Sequence, residues 1–268
     1  MREYHVSKNG SDFGTGFKDN SFLTISKAAS LAWAGDKVIV HEGTYREWVS
    51  PENSGINSVK RIVYMAAPGE KVVIKGSEQI KNWQWDKGDV WKAVIPNTLF
   101  GEFNPFEQKL RGDWFTEPSD RVLHLGNVYL NGKAFFEAAD YAAVLNPQLV
   151  TEGVNPEWPY HGIPPIKIED SIYQWYSEVG ENNTTIWANF QGKNPNQELT
   201  EISVRKCCFY PKKAMRNYIT VRGFELAQAA CPWAPPTADQ SERCGKKHKC
   251  KTTSLRKEKY LSLWQQGI

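Results

Sequence analysis

The sequence predicts an all-β protein: an incomplete right-handed parallel β-helix with a short N-terminal capping helix, interrupted by an inserted antiparallel β-sandwich. Short segments in which apolar and polar residues alternate follow one another between irregular turns, a pattern typical of β-strands. This pattern stops near Gly76 and returns after residue 203. Most of the eleven tryptophans lie in the segment between, which indicates a body with its own core. Without further information, a sandwich throughout remains an alternative to the β-helix.

The N-terminal segment predicts one strand, one loop and one helix. Tyr4–Val6 is a short strand, and the turn formers of Asn9–Gly16 form a loop whose glycine spacing fits neither a dinucleotide site nor a P-loop. Apolar residues recur at helical spacing from Thr24 to Ala34, and Gly35 closes that helix. A helix here would cover the open end of a strand coil.

Three strands follow this helix. We predict them at Asp36–His41, ending at the Glu42–Tyr45 turn, and then at Arg61–Ala66 and Lys71–Lys75. Their starts are too close together for βαβ crossovers, which need a helix between parallel strands. This spacing favours a parallel β-helix.

The tryptophan-rich segment predicts a hairpin and further strands. Aromatic residues alternate from Trp83 to Val94 on both sides of a Lys-Gly-Asp turn. The other predicted strands are Val128–Asn131, Lys133–Glu137, Tyr173–Val179, Thr185–Phe190 and Thr200–Val204. Beyond the insert, Asn217–Ala227 is again predicted to be a short strand like those before Gly76.

Composition places the chain among ordinary globular proteins and indicates a cytoplasmic location. It has 268 residues, 40% of them hydrophobic and 24% charged. The sequence has no apolar run long enough to span a membrane, and its start, Met1–His5, lacks the apolar core of a secretion signal. Five cysteines, including the adjacent pair Cys207 and Cys208, do not form a disulfide framework.

The basic charge belongs to the C-terminal tail. Ser241–Ile268 holds eight Lys/Arg and two Glu, so the tail carries +6 and the rest carries +3 − 6 = −3. A basic tail can bind nucleic acid, but this one is aperiodic, and a shifted reading frame would produce it. We expect it to be disordered or out of frame, and we expect no nucleic-acid or membrane partner.

Ten segments between Met1 and about Gln240 carry a family resemblance: YHVSKNGSDFGTG, FLTISKAASLAWAGDKVIVHEGTYREWV, VVIKGSEQI, FGEFNPF, GDWF, GNVYLNG, TTIWANFQG, CFYP, YITVRGFELA and PWAPPTADQ. On these segments the sequence resembles glycoside hydrolase family 120, the β-xylosidases. The resemblance implies a β-helix of the pectate-lyase superfamily with an inserted β-sandwich. It also implies retaining hydrolysis that releases xylose from short xylo-oligosaccharides.

The resemblance also sets the expected domains. They are 1–76, the first β-helix coils; 77–202, the inserted sandwich; 203–240, the resumed β-helix; and 241–268, the basic tail. In the family, an aspartate nucleophile and a glutamate acid/base lie on later coils, so we expect the chain to end before its catalytic residues. No catalytic residue is assigned, and the chain is expected to be an inactive N-terminal fragment.

Three residues are candidates for sugar binding. Trp114 and the adjacent Asp113 lie in a loop of the insert, and Trp233 lies in a proline-rich loop of the resumed coil. A tryptophan can stack on a sugar ring, but each is also open to a packing role, and Asp113 to a turn role. Asp239 and Glu225, the carboxylates nearest the resumed coil, are expected on the solvated surface.

Metal and cofactor sites are not predicted, and two other function classes remain open. Cys231, Cys244, His248 and Cys250 carry soft ligands, but their spacing matches no standard zinc site. The alternatives are a non-catalytic carbohydrate-binding or interaction module and a polysaccharide lyase, which would need clustered acids for calcium. The expected partner is a xylo-oligosaccharide or related carbohydrate, and a homo-oligomer is left open.

Overall fold

The computed structural model describes residues 1–110, 122–149 and 168–230, and strands dominate them. Two compact units are present in these ranges, one of residues 1–76 and 207–229, the other of residues 77–206 and residue 230. Only two α-helices occur within the described residues, which agrees with the predicted all-β class. None of the helices found there is long and apolar enough to cross a membrane.

The elements follow one another with short connections. In chain order they are β1 (Glu3–Val6), α1 (Ile25–Leu31), β2 (Lys37–Val40), β3 (Gly43–Arg46), β4 (Ile62–Ala66), β5 (Val72–Lys75), β6 (Ser77–Gln79), β7 (Gln84–Lys87), β8 (Val90–Pro96), β9 (Val128–Leu130), β10 (Lys133–Ala134), β11 (Phe136–Glu137), α2 (Tyr141–Leu145), β12 (Gln174–Val179), β13 (Asn183–Asn189), β14 (Thr200–Ser203), β15 (Ile219–Arg222) and β16 (Phe224–Ala227). Short 3-10 helices lie at Asn97–Leu99 and Ile168–Ile172.

The first unit contains two parallel sheets. One has the strand order β1-β2-β4-β15 and the other has the order β16-β5-β3. Both late strands pair in register with early ones, since Ile219 faces Ile62 and Phe224 faces Val72. Side chains join the same segments, because Arg61 Nε donates to Thr220 Oγ1 at 2.7 Å across 159 positions of sequence.

One hydrophobic cluster fills the first unit. It combines Val6, Val38 and Tyr64 from the first sheet with Ile74 from the second and Ile25 from α1, all fully or almost fully buried. Every second residue of β4 is buried, as expected for strands that alternate between a core face and an outer face. Helix α1 packs its buried alanines on this core.

The helix is shorter than the periodicity predicts. Thr24 caps its start by accepting the Lys27 N–H at 3.1 Å, but the helix ends at Leu31 instead of Ala34. Ala32 is extended, with φ −61° and ψ 137°, and Asp36 accepts the N–H of Trp33 at 3.0 Å. The carboxylate of Asp36 therefore offers a turn conformation that competes with the last helical turn.

Two predicted segments have different secondary structure from that expected, and glycine explains both. The expected turn at Glu42–Tyr45 is largely strand β3, and the single strand expected at Asn217–Ala227 is divided into β15 and β16. Gly43 and Gly223 have positive φ, so the chain bends there and continues in the other sheet. Alternation predicts a strand, but it carries no information about which sheet the strand joins.

The second unit contains an antiparallel sheet and a mixed sheet. The order β10-β9-β14-β6 is antiparallel throughout, whereas in β11-β12-β13-β8-β7 the β11–β12 pair is parallel. The wholly antiparallel sandwich expected from sequence is therefore wrong at this pair. The predicted hairpin is present as β7–β8, with an irregularity between Trp85 and Lys87. Asn131 and Gly132 form the β9–β10 turn with positive φ at both positions, as a tight hairpin requires.

Aromatic residues dominate the core of the second unit. Val128 and Ile202 from the antiparallel sheet share one buried cluster with Trp175 and Ile186 from the mixed sheet. Edge-to-face contacts reinforce it, for example Phe106 against Trp175 at 5.3 Å between ring centroids. On the other face of the mixed sheet, α2 packs its own smaller cluster. The tryptophan-rich segment thus has a core of its own.

Candidate functional site

Most of the sequence-predicted site residues lie outside the described ranges. This holds for Asp113, Trp114, Trp233 and Asp239, and also for Cys231, Cys244, His248 and Cys250. Glu225 lies within them on β16, where it is exposed and has a carboxylate oxygen 3.5 Å from Lys71 Nζ. This placement agrees with the expected surface role.

The segment that contains Asp113 and Trp114 has an ordered base in the second unit. Leu110 N–H donates to the Leu123 carbonyl at 2.8 Å, and Leu125 N–H donates to the Gln108 carbonyl at 2.9 Å. Lys109 and His124 form the antiparallel bridge between these bonds. Leu110 and Leu125 are buried in a small cluster with Ala230. Both ends of the candidate sugar-binding segment are therefore held together by backbone pairing.

The carboxylate of Glu137 holds His124, one of the residues that pair the two ends of this segment. Both oxygens of Glu137 are used, one 2.6 Å from His124 Nδ1 and the other accepting the His124 N–H at 2.7 Å. The side chain of Glu137 is only 10% exposed. Because a carboxylate only accepts, the imidazole must carry its proton on Nδ1, and Nε2 of a neutral ring is left as an acceptor. The pair fixes the imidazole of His124 where the 111–121 segment begins and ends. It contains one carboxylate, whereas retaining glycoside hydrolysis needs two.

The antiparallel sheet carries a second buried carboxylate. Glu201 on β14 is fully buried and accepts a hydrogen bond from Ser77 Oγ at 3.4 Å. Tyr129 and Ser203 lie close by, with their hydroxyl oxygens 3.2 Å apart. Burial of a carboxylate is costly unless it is hydrogen-bonded. The neighbouring hydroxyl groups supply polar surroundings for Glu201 inside the sheet.

A third titratable cluster lies in the first unit. His5 Nδ1 and His41 Nε2 are 3.0 Å apart, and His41 Nδ1 is 3.1 Å from Glu70 Oε1. Glu70 also accepts the Glu42 N–H at 2.7 Å, and these bonds hold the pKa of the Glu70 carboxyl below its ordinary value. Burial, with the nearby His41, lowers the pKa of His5. The described residues contain no group of three or more His, Cys, Asp or Glu arranged to hold a metal ion.

Sequence reasoning missed the His124–Glu137 pair and Glu201. His124 and Glu137 are 13 positions apart on either side of β9 and β10, so no periodic pattern connects them. Glu201 alternates as an outward residue of a strand whose two faces are in fact both buried. A lone Glu between Thr and Ile in a short strand is the only available signal.

Comparisons with known proteins find similarity over most of the chain. Residues 80–202 match the family model described as glycoside hydrolase 120, insertion domain. A solved structure described as the complex of XylC with xylose is 54% identical, with a TM-score of 0.80, over 88% of this chain. The uncharacterized protein YwoF of Bacillus subtilis (strain 168) is 38% identical over 82 residues, which is 31% of this chain.

The match covers only part of each relative. The chain spans 36% of the XylC chain and 17% of YwoF. The hairpin, the mixed sheet and the base of the 111–121 segment all lie within the matched insertion domain. Residues 80–202 are therefore similar to the insertion domain of glycoside hydrolase 120, and 88% of the chain is similar to part of XylC.

Proposed function

We propose that this chain is part of a retaining β-xylosidase that, in its whole form, releases xylose from xylo-oligosaccharides. The observation that carries the proposal is the likeness to XylC, which was solved with xylose and is 54% identical over 88% of this chain. At that identity, the groups that contact a sugar in one protein are expected to recur in the other. The 268-residue chain itself is proposed to bind sugar without hydrolysing it.

The proposed architecture is a right-handed parallel β-helix interrupted by the insert. In-register parallel pairing of β15 with β4 and of β16 with β5 supports a coil that resumes after the insert. The division of the described chain near residues 76 and 207 supports the domains 1–76, 77–202 and 203–240. On such a scaffold, sugar sites lie on loops that leave the stacked coils.

Sugar contacts are proposed for Trp114, Asp113 and Trp233. The paired base at Leu110 and Leu123 supports this role for the first two, because a loop with fixed ends can present an aromatic side chain in a defined place. A tryptophan face stacks on the C–H groups of a sugar ring, and an adjacent carboxylate can accept hydrogen bonds from the sugar hydroxyls.

The proposed absence of turnover rests on what the chemistry requires. Retaining cleavage uses two carboxyl groups roughly 5 Å apart, one as nucleophile and one as acid. Several described carboxylates already have structural partners: Glu47 binds the start of α1, Glu70 binds His41, Glu137 binds His124, and Glu225 pairs with Lys71. A carboxylate held in this way is not placed to attack an anomeric carbon.

A chromogenic xyloside tests the proposal. The purified chain should give no turnover above buffer, whereas a longer chain that includes the rest of a XylC-length protein should be active. The variants Glu225→Gln and Asp239→Asn serve as controls for a misplaced catalytic pair. Turnover by the 268-residue chain that disappears in either variant would overturn the proposed inactivity. An inactive full-length protein would overturn the xylosidase assignment.

A further inference from the structure

The first unit contains an open cavity at the end of α1 that nothing above explains. Its volume is about 430 Å³, and it is lined by Trp33, Glu52, Asn53, Ser54, Gly55, Ile56 and Arg216. Trp33 is 61% exposed and Ile56 is 62% exposed, which is unusual for large apolar side chains next to a cavity. An aromatic surface and an arginine therefore share one depression.

Arg216 is the first unusual feature of this cavity. Its Nε atom is buried and has no hydrogen-bond partner among the described residues. A buried N–H without an acceptor costs free energy, and such groups are rare in native proteins. Glu52 does not meet this need, because its carboxylate is 2.5 Å from Lys213 Nζ. Neither Glu52 nor any other described residue therefore pairs with the Nε atom of Arg216, a residue that lines the cavity.

The backbone around Arg216 is the second unusual feature. Met215 and Tyr218 both have left-handed conformations, with φ of 63° and 56°. Such conformations cost free energy in residues other than glycine, and they persist where the surroundings enforce them. The segment that carries Arg216 is thus bent on both sides of it.

Hydrogen bonds enforce this bend and fix the opposite wall. Ser54 Oγ donates to the Met215 carbonyl and accepts the Asn217 N–H, both at 3.2 Å. Gly55 packs so closely that a Cβ there would lie 2.6 Å from the Tyr218 carbonyl oxygen. The cavity wall is therefore rigid before any ligand arrives.

Trp33 is also held in position. Its N–H donates to Asp36, and the preceding carbonyl, of Ala32, accepts from Asn53 Nδ2 at 2.9 Å. The indole thus projects from a fixed backbone at the end of α1 while its ring stays accessible. Rigid groups lose little entropy on binding, which favours recognition.

We propose that this cavity binds a sugar that carries a carboxylate, with the ring stacked on Trp33 and the carboxylate on the guanidinium of Arg216. An exposed indole matches the apolar face of a pyranose, and a guanidinium matches a carboxylate in a fork of two hydrogen bonds. The surrounding charge fits an anion, since three cations, Lys212, Lys213 and Arg216, all act electrostatically on Glu52 in the cavity wall. The choice of a sugar among possible carboxylates rests on the proposed function.

Saturation-transfer NMR and fluorescence titration with D-glucuronate test this site in the 268-residue chain. D-Glucose, which lacks the carboxylate, and acetate, which lacks the ring, are the comparison ligands at constant ionic strength. We expect saturable glucuronate binding and at least about tenfold weaker binding of glucose and acetate. Equal binding of glucose, equal binding of acetate, or no binding of glucuronate would each overturn the proposal.

Matched variants locate the site. Arg216→Lys keeps the charge but removes the fork, and Trp33→Leu removes the aromatic face, so each should weaken glucuronate binding at least about tenfold. Lys60→Gln removes a nearby exposed charge and Trp85→Leu removes an exposed tryptophan elsewhere, so both should change the affinity less than about twofold. Unfolding midpoints check that each variant folds. Unchanged affinity in folded Arg216→Lys would overturn the assignment, whatever the xyloside assays give.

Discussion

Glu47 follows β3 in sequence, yet its carboxylate completes the start of α1. It accepts the N–H groups of Ile25 at 2.9 Å and Ser26 at 2.8 Å, and the hydroxyl of Ser26 at 2.5 Å. These are donors that a helix start leaves without internal partners. A carboxylate is also the charge that a helix N-terminus favours. One side chain thus connects the helix to the strand region.

Glu47→Gln should lower the free energy of unfolding by about 1–2 kcal/mol, because it removes the charge from these hydrogen bonds. Glu42→Gln is the control, since that side chain is exposed, and a change within about 0.5 kcal/mol is expected there. Urea denaturation measures both. Equal effects of the two substitutions would show that the carboxylate of Glu47 does not stabilise α1.

The partial burial of His5 makes stability depend on pH. The pKa of His5 lies below its ordinary value of 6.5, chiefly through burial and also through His41, while Glu3 acts in the opposite direction. The neutral form is thus favoured in the folded state, so this stabilisation is present above pH 6.5 and is lost as the pH falls through the lowered pKa. The lowered pKa of Glu70 adds a loss below its ordinary 4.5.

Unfolding free energy should therefore fall when the pH is lowered from 7.5 to 5. His5→Gln should have a weaker pH dependence than the original chain over this interval, because the group that gains a proton on unfolding is gone. Urea titrations at the two pH values measure the difference. A steeper dependence in the variant would contradict the assigned direction of the shift.

At the scale of elements, the turn at Gly223 places β15 and β16 in different sheets. It has φ +77° between β15 and β16, which pair with β4 and β5 in different sheets. A Cβ at this position would lie 3.2 Å from the Ala66 Cβ. The turn therefore needs glycine for its conformation and also for its close contact.

Gly223→Ala should destabilise the chain by about 1–2 kcal/mol. Gly69→Ala is a matched control, because Gly69 also has positive φ but has open space around its Cβ position. It should cost about 1 kcal/mol or less through backbone strain alone. Thermal or urea unfolding compares them, and a larger loss for Gly69→Ala would refute the packing argument.

These elements also show how far sequence reasoning reaches. The short apolar runs in Arg61–Ala66 and Lys71–Lys75 correctly predicted β4 and β5, and β4 buries every second residue whereas β5 buries Val72, Val73 and Ile74 in a row. Which sheet a strand joins depends on single turn residues such as Gly223. The pattern of apolar residues within a strand carries no information about those turns. The His124–Glu137 pair and the Trp33–Arg216 cavity join residues that only tertiary packing brings together. Sequence predicts elements from local patterns, whereas sites depend on nonlocal contacts.

At the scale of the whole molecule, the insert should be an independent folding unit. All strands from β6 to β14 pair among themselves, and they share one aromatic core. Residues 77–206 expressed alone should therefore unfold cooperatively and keep the near-ultraviolet circular dichroism of packed tryptophans. A chain without such a signal would contradict the proposed boundaries of the inserted domain.

The central proposal is that this chain binds xylo-oligosaccharides through residues 80–202, the segment that matches the glycoside hydrolase 120 insertion domain. Calorimetric titration of the 268-residue chain with xylotriose tests it most directly, with Trp114→Ala compared against Trp85→Ala, an exposed tryptophan of the same domain. We predict saturable binding that Trp114→Ala weakens at least about tenfold and Trp85→Ala leaves within about twofold. No binding of xylotriose, or equal effects of the two substitutions, would contradict the account.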